Sequence, residues 1–465
     1  MNRQLKLWDA IMLVMGSMIG SGIFIVSSDM MRQLGSGYWL GLVWGITAIA
    51  TIAAAICYGE LSGMYPKAGG QYTYLTEIFG KPIGFLYGWS LFTVIQTGTI
   101  AAVAVAFSKF TAYLIPQLND AAPIYQNGDF MITWIQILAI GVILVLTYIN
   151  TRGIQSGKAI QSFFTSAKVI ALVLLILGGL FLIQDNHFAE NTAFRWDAFQ
   201  NLKGEGWQSI SGGTLLGALA AGMVGSIFSS VAWENVTFVS GEIVNPKRNV
   251  VRALVIGTTL VMILYFCCNL IYLSVLSRDE MAFAADDRVA VAAAERMLGQ
   301  TGTLAMAVLV MVSTFGCVNG LALSGARVFQ TMAKDGLFLK QAIPNNKFDV
   351  PAKSLWLQGT WASLLCLSGQ YGNLLDMISF VIVIFYMITV LGVIVQRIRK
   401  PSLERSYRTF LFPIPPLIYL LVGTLFCVLL IIYKPQYTWP GFILVLIGLP
   451  VYFITQRNKR KSDTV

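Results

Sequence analysis

Two stretches of small and polar residues interrupt apolar segments of this chain, and they could bind a ligand through their backbone groups. The first runs from Met15 to Phe24 and contains three glycines and two serines. The second runs from Gly222 to Asn235 and is again small and polar. Glycine weakens a helix, and a break inside a bilayer requires partners for the freed backbone groups.

The chemistry that such breaks offer is the recognition of opposite charges. Amides at the N-terminus of a helix that resumes after Gly20 would bind an anion such as a carboxylate. Carbonyls released in both breaks would accept hydrogen bonds from an ammonium group. An anion site beside a cation site predicts a zwitterionic α-amino acid as the ligand.

Close helix packing is the alternative interpretation of the first stretch. Gly16 and Gly20 have the small-xxx-small spacing that lets membrane helices approach each other. The matching break in the sixth apolar segment favours a binding site, because paired interrupted helices are typical of substrate sites in transporters.

Lys168 lies within the apolar stretch Phe164 to Ile170, about two turns inside the fifth segment. A lysine near a helix end could extend to the interface, whereas a lysine at the centre is costly to insert. We therefore expect a charge or hydrogen-bond tie between this segment and the broken first segment. Because a buried lysine can also exchange a proton, proton coupling stays open.

Three further residues are candidates for special roles. Glu234 follows the second break and is either a water-facing or salt-bridged residue that ties the half-helices together, or a residue that binds substrate or protons. Phe228, at the start of that break, is either a core residue or a gate over the site. Glu60, at the inner end of the second segment, is expected to be structural and to pair with a basic residue.

The residue content argues against several classes of function. The single histidine, His187, lies in a connecting loop, so catalysis of hydrolysis or acyl transfer is not expected and no catalytic residue is assigned. The six cysteines fall in apolar stretches and show no metal-binding spacing. We expect no metal, no cofactor and no nucleic-acid partner.

Apolar segments long enough to span a lipid bilayer position these residues. The chain has 465 residues, of which 56% are hydrophobic, and its mean hydropathy is +0.69, which predicts an all-α integral membrane protein. About twelve runs have the required length. They lie at approximately 8–33, 38–64, 82–115, 130–149, 160–183, 212–239, 250–277, 300–330, 354–371, 374–396, 411–433 and 437–456. The longest connection, 184–211, is expected to be a folded external loop.

The basic residues predict the orientation of the chain. With the N-terminus placed inside, most of the 32 Lys and Arg residues fall in inner loops, and Lys168 is the one placed within a segment. This bias marks the cytoplasmic side. It predicts a multi-pass protein of the cell membrane (inner or plasma membrane) with both termini cytoplasmic, and it accounts for much of the net charge of +10.

The interrupted segments 1 and 6 predict a 5+5 inverted repeat. The core would cover 1–396, with repeat one at 8–183 and repeat two at 212–396. Segments 11 and 12, with a basic cytoplasmic tail, would occupy 397–465. Because each half contains an odd number of segments, the two halves have opposite orientations in the membrane.

Five motifs in order carry a resemblance to a known family over nearly the whole chain. They are Gly16–Phe24, Tyr58–Leu61 leading to Pro66–Tyr72, Gly241–Asn249, Ser313–Gly320 and Arg399–Arg405. The chain resembles the amino acid-polyamine-organocation (APC) superfamily of permeases, and within it the L-type amino-acid transporter (light-chain) branch. The resemblance implies a LeuT-type fold in which helices 1 and 6 are discontinuous and the substrate binds at their unwound parts.

The resemblance also implies roles for individual residues. Backbone amides of Ser21 and Gly22 match groups that bind the substrate carboxylate. Carbonyls of Ile19, Phe228 and Ser229 match groups that bind its amine, and an aromatic residue at the position of Phe228 gates the outer side.

Other candidates surround this backbone site. Gly20 and Ser230 belong to the two breaks, and Gln96, Glu234 and segment 8 are expected to select the substrate side chain together with Phe228. Lys168 matches the lysine that sodium-independent members carry where sodium-coupled relatives bind a cation, so sodium dependence is not expected.

The sequence departs from the family pattern at two places. Glu234 stands where many L-type members have asparagine, which favours a cationic or small polar substrate. The predicted external loop 116–129 has no cysteine, so the disulfide to a heavy chain that animal members form is not expected. This implies a stand-alone, bacterial transporter.

These observations predict a sodium-independent amino-acid transporter, an exchanger or facilitator that works by alternating access and is not an enzyme. A proton-coupled amino-acid symporter is the alternative within the same class. An amino-acid sensor that binds its ligand without moving it is the alternative from a different class.

Overall fold

The computed structural model describes residues 3, 5–118, 123–127, 130–183, 185–193, 196–367 and 371–462. Parts of the predicted external loop 116–129 and the end of the predicted cytoplasmic tail lie outside these residues, as does Arg195. Within the described ranges the chain is mostly helical, as its composition predicts, and has four short strands.

The described ranges contain eighteen α-helices, nine before residue 200 and nine after it. The first nine are α1 Leu7–Met18, α2 Gly22–Leu34, α3 Gly37–Met64, α4 Gln71–Phe79, α5 Lys81–Ser90, α6 Gln96–Leu114, α7 Trp134–Asn150, α8 Ile154–Phe181 and α9 Phe188–Asn191. The others are α10 Gly212–Ser229, α11 Asn235–Phe238, α12 Pro246–Val275, α13 Arg278–Ala282, α14 Val289–Lys334, α15 Ala352–Cys366, α16 Tyr371–Arg399, α17 Ile414–Tyr433 and α18 Pro435–Ser462.

The remaining regular elements are short. A π-helical turn, Leu91–Ile95, joins α5 to α6. Short 3₁₀-helices occur at Pro116–Leu118, Ser240–Glu242, Ala285–Asp287 and Lys340–Ala342. The strands form two antiparallel hairpins, β1 Tyr125–Asn127 with β2 Phe130–Ile132, and β3 Ala198–Gln200 with β4 Gln208–Ile210.

Ten helical stretches in the described part of the chain are long and apolar enough to cross a bilayer. Each of the twelve predicted runs overlaps a helix, but α7 and α15 have only 17 and 15 residues. A helix needs about 20 residues to span the hydrocarbon core. The all-α membrane fold is thus confirmed, and the count of twelve stays a prediction.

The interrupted first segment lies at the centre of the bundle. In its most apolar 18-residue window, within Leu7–Leu34, 89% of the residues are buried. In the corresponding window of the last span, Thr438–Gln456, 22% are buried. α1 packs against α8, α12 and α14, and α2 packs against α10. Glycine permits these approaches, because a Cβ at Gly257 would lie 2.8 Å from Cβ of Val14, well inside the normal carbon–carbon distance of about 3.5–4.0 Å.

The C-terminal end of α2 is held by the loop before α10 and by the connection between α13 and α14. Arg32 forms an ion pair with Asp287 at 2.6 Å, and its carbonyl accepts from the amide of Asn201 at 2.9 Å. The side chains of Gln200 and Gln33 are joined at 2.9 Å. The predicted folded loop 184–211 therefore contains α9 and the β3–β4 hairpin and packs against the C-terminal end of α2.

The N-terminal end of segment 1 is held by the chain that follows segment 6. Leu5 and Ile243 form a parallel β-bridge, in which the amide of Leu5 donates to the carbonyl of Glu242 at 3.0 Å. The side chain of Glu242 pairs with Arg327 of α14 at 3.2 Å. Both ends of the interrupted segment are therefore held in place by residues that lie far along the chain.

Candidate functional site

The break in segment 1 covers three residues. α1 ends at Met18, Ile19 has an extended backbone with φ −73° and ψ 90°, and α2 begins at Gly22 with Ser21 as its N-cap. The first amides of a helix and the last carbonyls of the preceding helix have no partners within their own helices. Ile19 and Ser21 are fully buried, so these backbone groups lie in the protein interior.

Side chains from three other helices bind the carbonyls around this break. Lys168 Nζ of α8 donates to the carbonyl of Gly16 at 2.6 Å, and the Tyr265 hydroxyl of α12 donates to that of Met18 at 2.9 Å. Cys317 Sγ of α14 lies 3.5 Å from the carbonyl oxygen of Ser17. The Ser313 hydroxyl of α14 lies 3.5 Å from the carbonyl oxygen of Gly20, and the amide of Phe24 donates to the carbonyl of Ser21 at 3.1 Å. Among the hydrogen bonds of the described residues, none has the carbonyl of Ile19 as its acceptor.

Lys168 is fully buried in the position that its depth in segment 5 predicts. Its ammonium group lies against segment 1 rather than at the membrane interface. A buried ammonium requires compensation, which the carbonyl dipole of Gly16 supplies in part. The residue therefore fixes a positive charge beside the break.

The break in segment 6 lies between Ser229, the last residue of α10, and Asn235, the first residue of α11. Between them Ala232 has φ 69°, a left-handed conformation that is uncommon for alanine. The hydroxyl of Ser229 donates to the carbonyl of Gly225, and that of Ser230 donates to Ser226, both at 2.7 Å. Both serine hydroxyls are thus hydrogen-bonded to carbonyls of the last turn of α10. The groups that the break can offer to a ligand are therefore mainly backbone groups.

The two breaks are in direct contact at Gly22. A Cβ at Gly22 would overlap the side chain of Ser229 and lie 2.9 Å from its Cα. A Cβ at Gly20 would lie 3.2 Å from Cys317 Sγ. The packing interpretation of these glycines therefore holds at Gly22, and the same contact brings the two sets of backbone groups together.

The side chains expected around the site are buried but occupy different surroundings. Phe228 is 5% exposed and belongs to the main hydrophobic core. Gln96 follows the π-helical turn and donates to the carbonyl of Leu321 in α14 at 2.6 Å. Glu234 is 3% exposed and accepts a hydrogen bond from the hydroxyl of Tyr386 in α16.

Two expectations about carboxyl groups have different outcomes. Glu60 was expected to pair with a basic residue of the predicted inner side, and the pairing is confirmed, because Glu60 accepts from Arg397 at 2.7 and 3.0 Å and from Arg405 at 3.2 Å. Glu234 is neither water-facing nor ion-paired within the described residues. The salt-bridge alternative for Glu234 is therefore wrong for that part of the chain.

A family model described as "Amino acid permease" matches residues 5–453 of the sequence. The chain belongs to the amino acid permease family. The resemblance to the APC superfamily is thereby confirmed, and a permease is a transporter rather than an enzyme.

Named relatives are similar to this permease over almost its full length. The Asc-type amino acid transporter 1 of Mus musculus is 29% identical over 98% of this chain and 81% of its own. The large neutral amino acids transporter small subunit 2 of Homo sapiens is 30% identical over 98% of this chain and 80% of its own. The b(0,+)-type amino acid transporter 1 of Mus musculus is 29% identical over 98% and 88%.

Sequence reasoning did not single out three residues at the permease's two breaks. Tyr265 and Cys317 bind carbonyls of segment 1, and Tyr386 binds Glu234. The available signal was weak, since each is an isolated polarisable group in an apolar segment, where tyrosine and cysteine are also ordinary core residues. The hydrogen bonds of Tyr265, Cys317 and Tyr386 are evident only from the three-dimensional structure.

Proposed function

We propose that this permease moves amino acids across the membrane without sodium, by alternating access, as an exchanger or facilitator. The observation that carries the proposal is the contact of the two helix breaks at Gly22 and Ser229, which supports a shared site built from the start of α2 and the end of α10. An α-amino acid carries the carboxylate and the ammonium group that such an arrangement would bind.

In this proposal the backbone binds the groups that all α-amino acids share. Amides of Ser21 and Gly22 bind the carboxylate, with Gly20 permitting the close approach of the ligand. Carbonyls of Ile19, Phe228 and Ser229 bind the ammonium group. Supporting this assignment, α2 is a 13-residue helix whose dipole is positive at Gly22.

Selection of the substrate side chain is assigned to groups beyond the backbone site. Gln96 and Ser230 are buried on segments 3 and 6, and Phe228 is proposed as the outer gate. Glu234 would favour substrates with a cationic or small polar side chain if it faces them. Competition by a panel of amino acids against one labelled substrate measures this selectivity.

Sodium independence is supported by the position of Lys168. Its ammonium group already supplies a positive charge at the carbonyl of Gly16, at 2.6 Å. A sodium ion bound at the same carbonyls would be repelled by this charge. Transport rates should therefore be the same in sodium and potassium media.

The organisation of the chain is part of the proposal. We assign repeat one to 8–183, repeat two to 212–396 and the appended segments 11 and 12 to 397–465. The multi-pass protein is placed in the cell membrane with both termini cytoplasmic, as its basic residues indicate. The absence of cysteine from 116–129 supports function without a disulfide-linked heavy chain.

The test is counterflow in proteoliposomes that contain the purified permease. Vesicles loaded with an unlabelled amino acid should take up the same labelled amino acid in sodium-free medium, and protein-free liposomes should not. Failure to observe counterflow with any of the twenty amino acids would contradict the proposed function. Binding without counterflow would favour the sensor alternative.

A further inference from the structure

Two connections on the predicted inner side of the permease are rich in basic residues. The first, 151–158, joins α7 to α8 and includes the first residues of α8, and the second, 340–353, leads into α15. Asp349 is the only acidic residue in either stretch. The basic residues of the two stretches are Arg152, Lys158, Lys340, Lys347 and Lys353. The two connections together therefore carry a large excess of positive charge.

The two connections are in direct contact. The side-chain amide of Asn346 donates to the carbonyl of Thr151 at 2.6 Å. A Cβ at Gly153 would lie 3.8 Å from Cβ of Phe348, which is an ordinary van der Waals distance. The stretch 151–153 therefore lies beside the stretch 346–348.

Arg152 and Lys347 are the central residues of these two stretches, and both are exposed. The guanidinium carbon of Arg152 lies 4.8 Å from the ring centroid of Tyr148, whose hydroxyl accepts a hydrogen bond from Arg152. Nζ of Lys347 lies 5.2 Å from the ring centroid of Phe348. Neither cation forms an ion pair with a carboxylate in the described part of the chain. Two positive charges are thus held on adjoining backbones, where an anion would relieve their repulsion.

The loop that carries Lys347 is held in shape by its own hydrogen bonds. Oδ1 of Asn346 accepts from the amides of Phe348 at 3.0 Å and Val350 at 3.3 Å. The carboxylate of Asp349 accepts from the side-chain amide of Asn345 at 2.5 Å. The position of Lys347 beside the α7–α8 connection is therefore set before any ligand binds, which lowers the entropic cost of binding.

Exposed aromatic side chains flank the two cations. Tyr148 lies in the last turn of α7, Phe348 lies in the loop before α15, and Trp356 lies in the second turn of α15, three residues after Lys353. All three are exposed. Aromatic residues beside basic ones at the ends of apolar helices are typical of the level of the lipid headgroups. A ligand at this place meets water on one side and hydrocarbon on the other.

We infer that Arg152 and Lys347 together bind the headgroup phosphate of an anionic phospholipid, whose acyl chains lie against Tyr148 and Phe348. Guanidinium and ammonium groups both donate to phosphate oxygens. An excess of positive charge is general on inner loops, but it does not require two cations on adjoining backbones. No residue of this lipid site belongs to the two helix breaks, so the inference does not depend on how the amino acid is bound or transported.

The first experiment measures lipid affinity by native mass spectrometry of the full-length permease in a neutral detergent. Phosphatidylglycerol is compared with phosphatidylcholine of the same acyl chains, and the wild type should bind phosphatidylglycerol more tightly. The double variant Arg152→Gln, Lys347→Gln should lose about twentyfold in affinity for phosphatidylglycerol, because each basic group at an anionic surface contributes about fivefold. Its affinity for phosphatidylcholine should be unchanged.

The double variant Arg399→Gln, Lys400→Gln is the matched control. It removes the same charge from two exposed residues at the end of α16, on the same predicted side of the membrane. It should keep the wild-type affinity for phosphatidylglycerol. An equal loss in both double variants would show attraction by net charge alone and would overturn the inference, as would equal affinities of the wild type for the two lipids.

A soluble anion is distinguished from a lipid by competition. Glycerol phosphate carries the charged headgroup without acyl chains, and at equal concentration it should not displace phosphatidylglycerol from the wild type. Displacement would overturn the assignment of the site to a lipid.

A second measurement needs no variant and uses hydrogen exchange of the wild type in nanodiscs. A bound headgroup should slow the exchange of backbone amides in peptides that cover 151–153 and 346–350 when the nanodisc contains phosphatidylglycerol rather than phosphatidylcholine alone. A peptide that covers 399–405 should exchange at the same rate in both. Equal rates for 346–350 in the two kinds of nanodisc would contradict the inferred site.

Discussion

At the scale of single residues, the permease tolerates a broken helix because other helices supply donors to its carbonyls. Lys168, Tyr265 and Cys317 come from α8, α12 and α14, and each lies on a different carbonyl of the last turn of α1. The cost of an unpaired buried carbonyl is about 1–3 kcal/mol, so these contacts matter individually. They also decide which carbonyls are left to a ligand.

Lys168→Ala tests the strongest of these contacts. The substitution removes the donor at 2.6 Å from the carbonyl of Gly16. A hydrogen bond involving a charged group contributes about 1.5–3 kcal/mol, so we expect counterflow to fall by about tenfold or more while the protein still elutes as a folded species in gel filtration. Lys203→Ala, in the exposed loop before α10, should retain full counterflow. Counterflow of Lys168→Ala at the wild-type rate would remove the assigned role.

At the scale of elements, the important contact joins two interrupted helices. α2 and α10 approach closely enough that Gly22 touches Ser229, and a Cβ at Gly225 would lie 2.8 Å from Cβ of Val26. The glycines of segment 1 therefore both permit the break and permit the packing that brings the second break to it. Close helix packing and a ligand site, the two interpretations of the stretch from Met15 to Phe24, are therefore compatible.

Gly22→Ala tests this contact at the level of the helix pair. The added Cβ overlaps Ser229, including its backbone, so one helix must shift and the spacing of the two breaks changes. We expect counterflow to fall by more than about tenfold. Gly41→Ala is the matched control in α3, because its Cβ would meet no atom within 4 Å, and alanine favours a helix by up to about 1 kcal/mol.

Equal counterflow and equal thermal unfolding temperatures for the two alanine variants would contradict the proposed importance of the contact. A selective loss in Gly22→Ala, with Gly41→Ala close to the wild type, would support it. Both readouts are required, since a shift of α2 against α10 can reduce transport without unfolding the protein.

At the scale of the whole molecule, a buried ionic cluster attaches the last segments to the core. Glu60 at the end of α3 is 1% exposed and binds Arg397 of α16, Arg405 in the loop before α17 and the amide of Thr409 at 2.7 Å. Arg405 also donates to four backbone carbonyls of the same region. The cluster therefore fixes the connection between the proposed core and the proposed appended segments.

Glu60→Gln should destabilise the protein strongly. Removal of one charge leaves two arginines without their carboxylate, and breaking a buried pair costs about 3–5 kcal/mol. We expect a lower thermal unfolding temperature in detergent. Glu404→Gln breaks an exposed pair with Lys247 at 3.3 Å, which contributes about 0–1 kcal/mol, and should unfold close to the wild-type temperature. Similar unfolding temperatures for the two variants would contradict the role of the cluster.

The sequence by itself determined the features that depend on local composition. Apolar runs of bilayer length predict helices, basic loops predict an orientation, and glycine with serine at Gly16 to Gly22 and at Gly222 to Ser230 marks weak points in two helices. The depth of Lys168 within segment 5 predicted its burial. The motifs of the family were also local, and the match over residues 5–453 confirms them.

Only the tertiary structure decided which distant residues meet. Tyr265 binds the carbonyl of Met18 across 247 positions, and Tyr386 binds Glu234 across 152. The pattern of an apolar helix indicates that a side chain is buried but not which neighbour it faces, because every side of a central helix is apolar. The phenol-rich surroundings of Glu234, which hold no basic partner for it among the described residues, therefore arise from the packing of α3, α5, α16 and α17 around it.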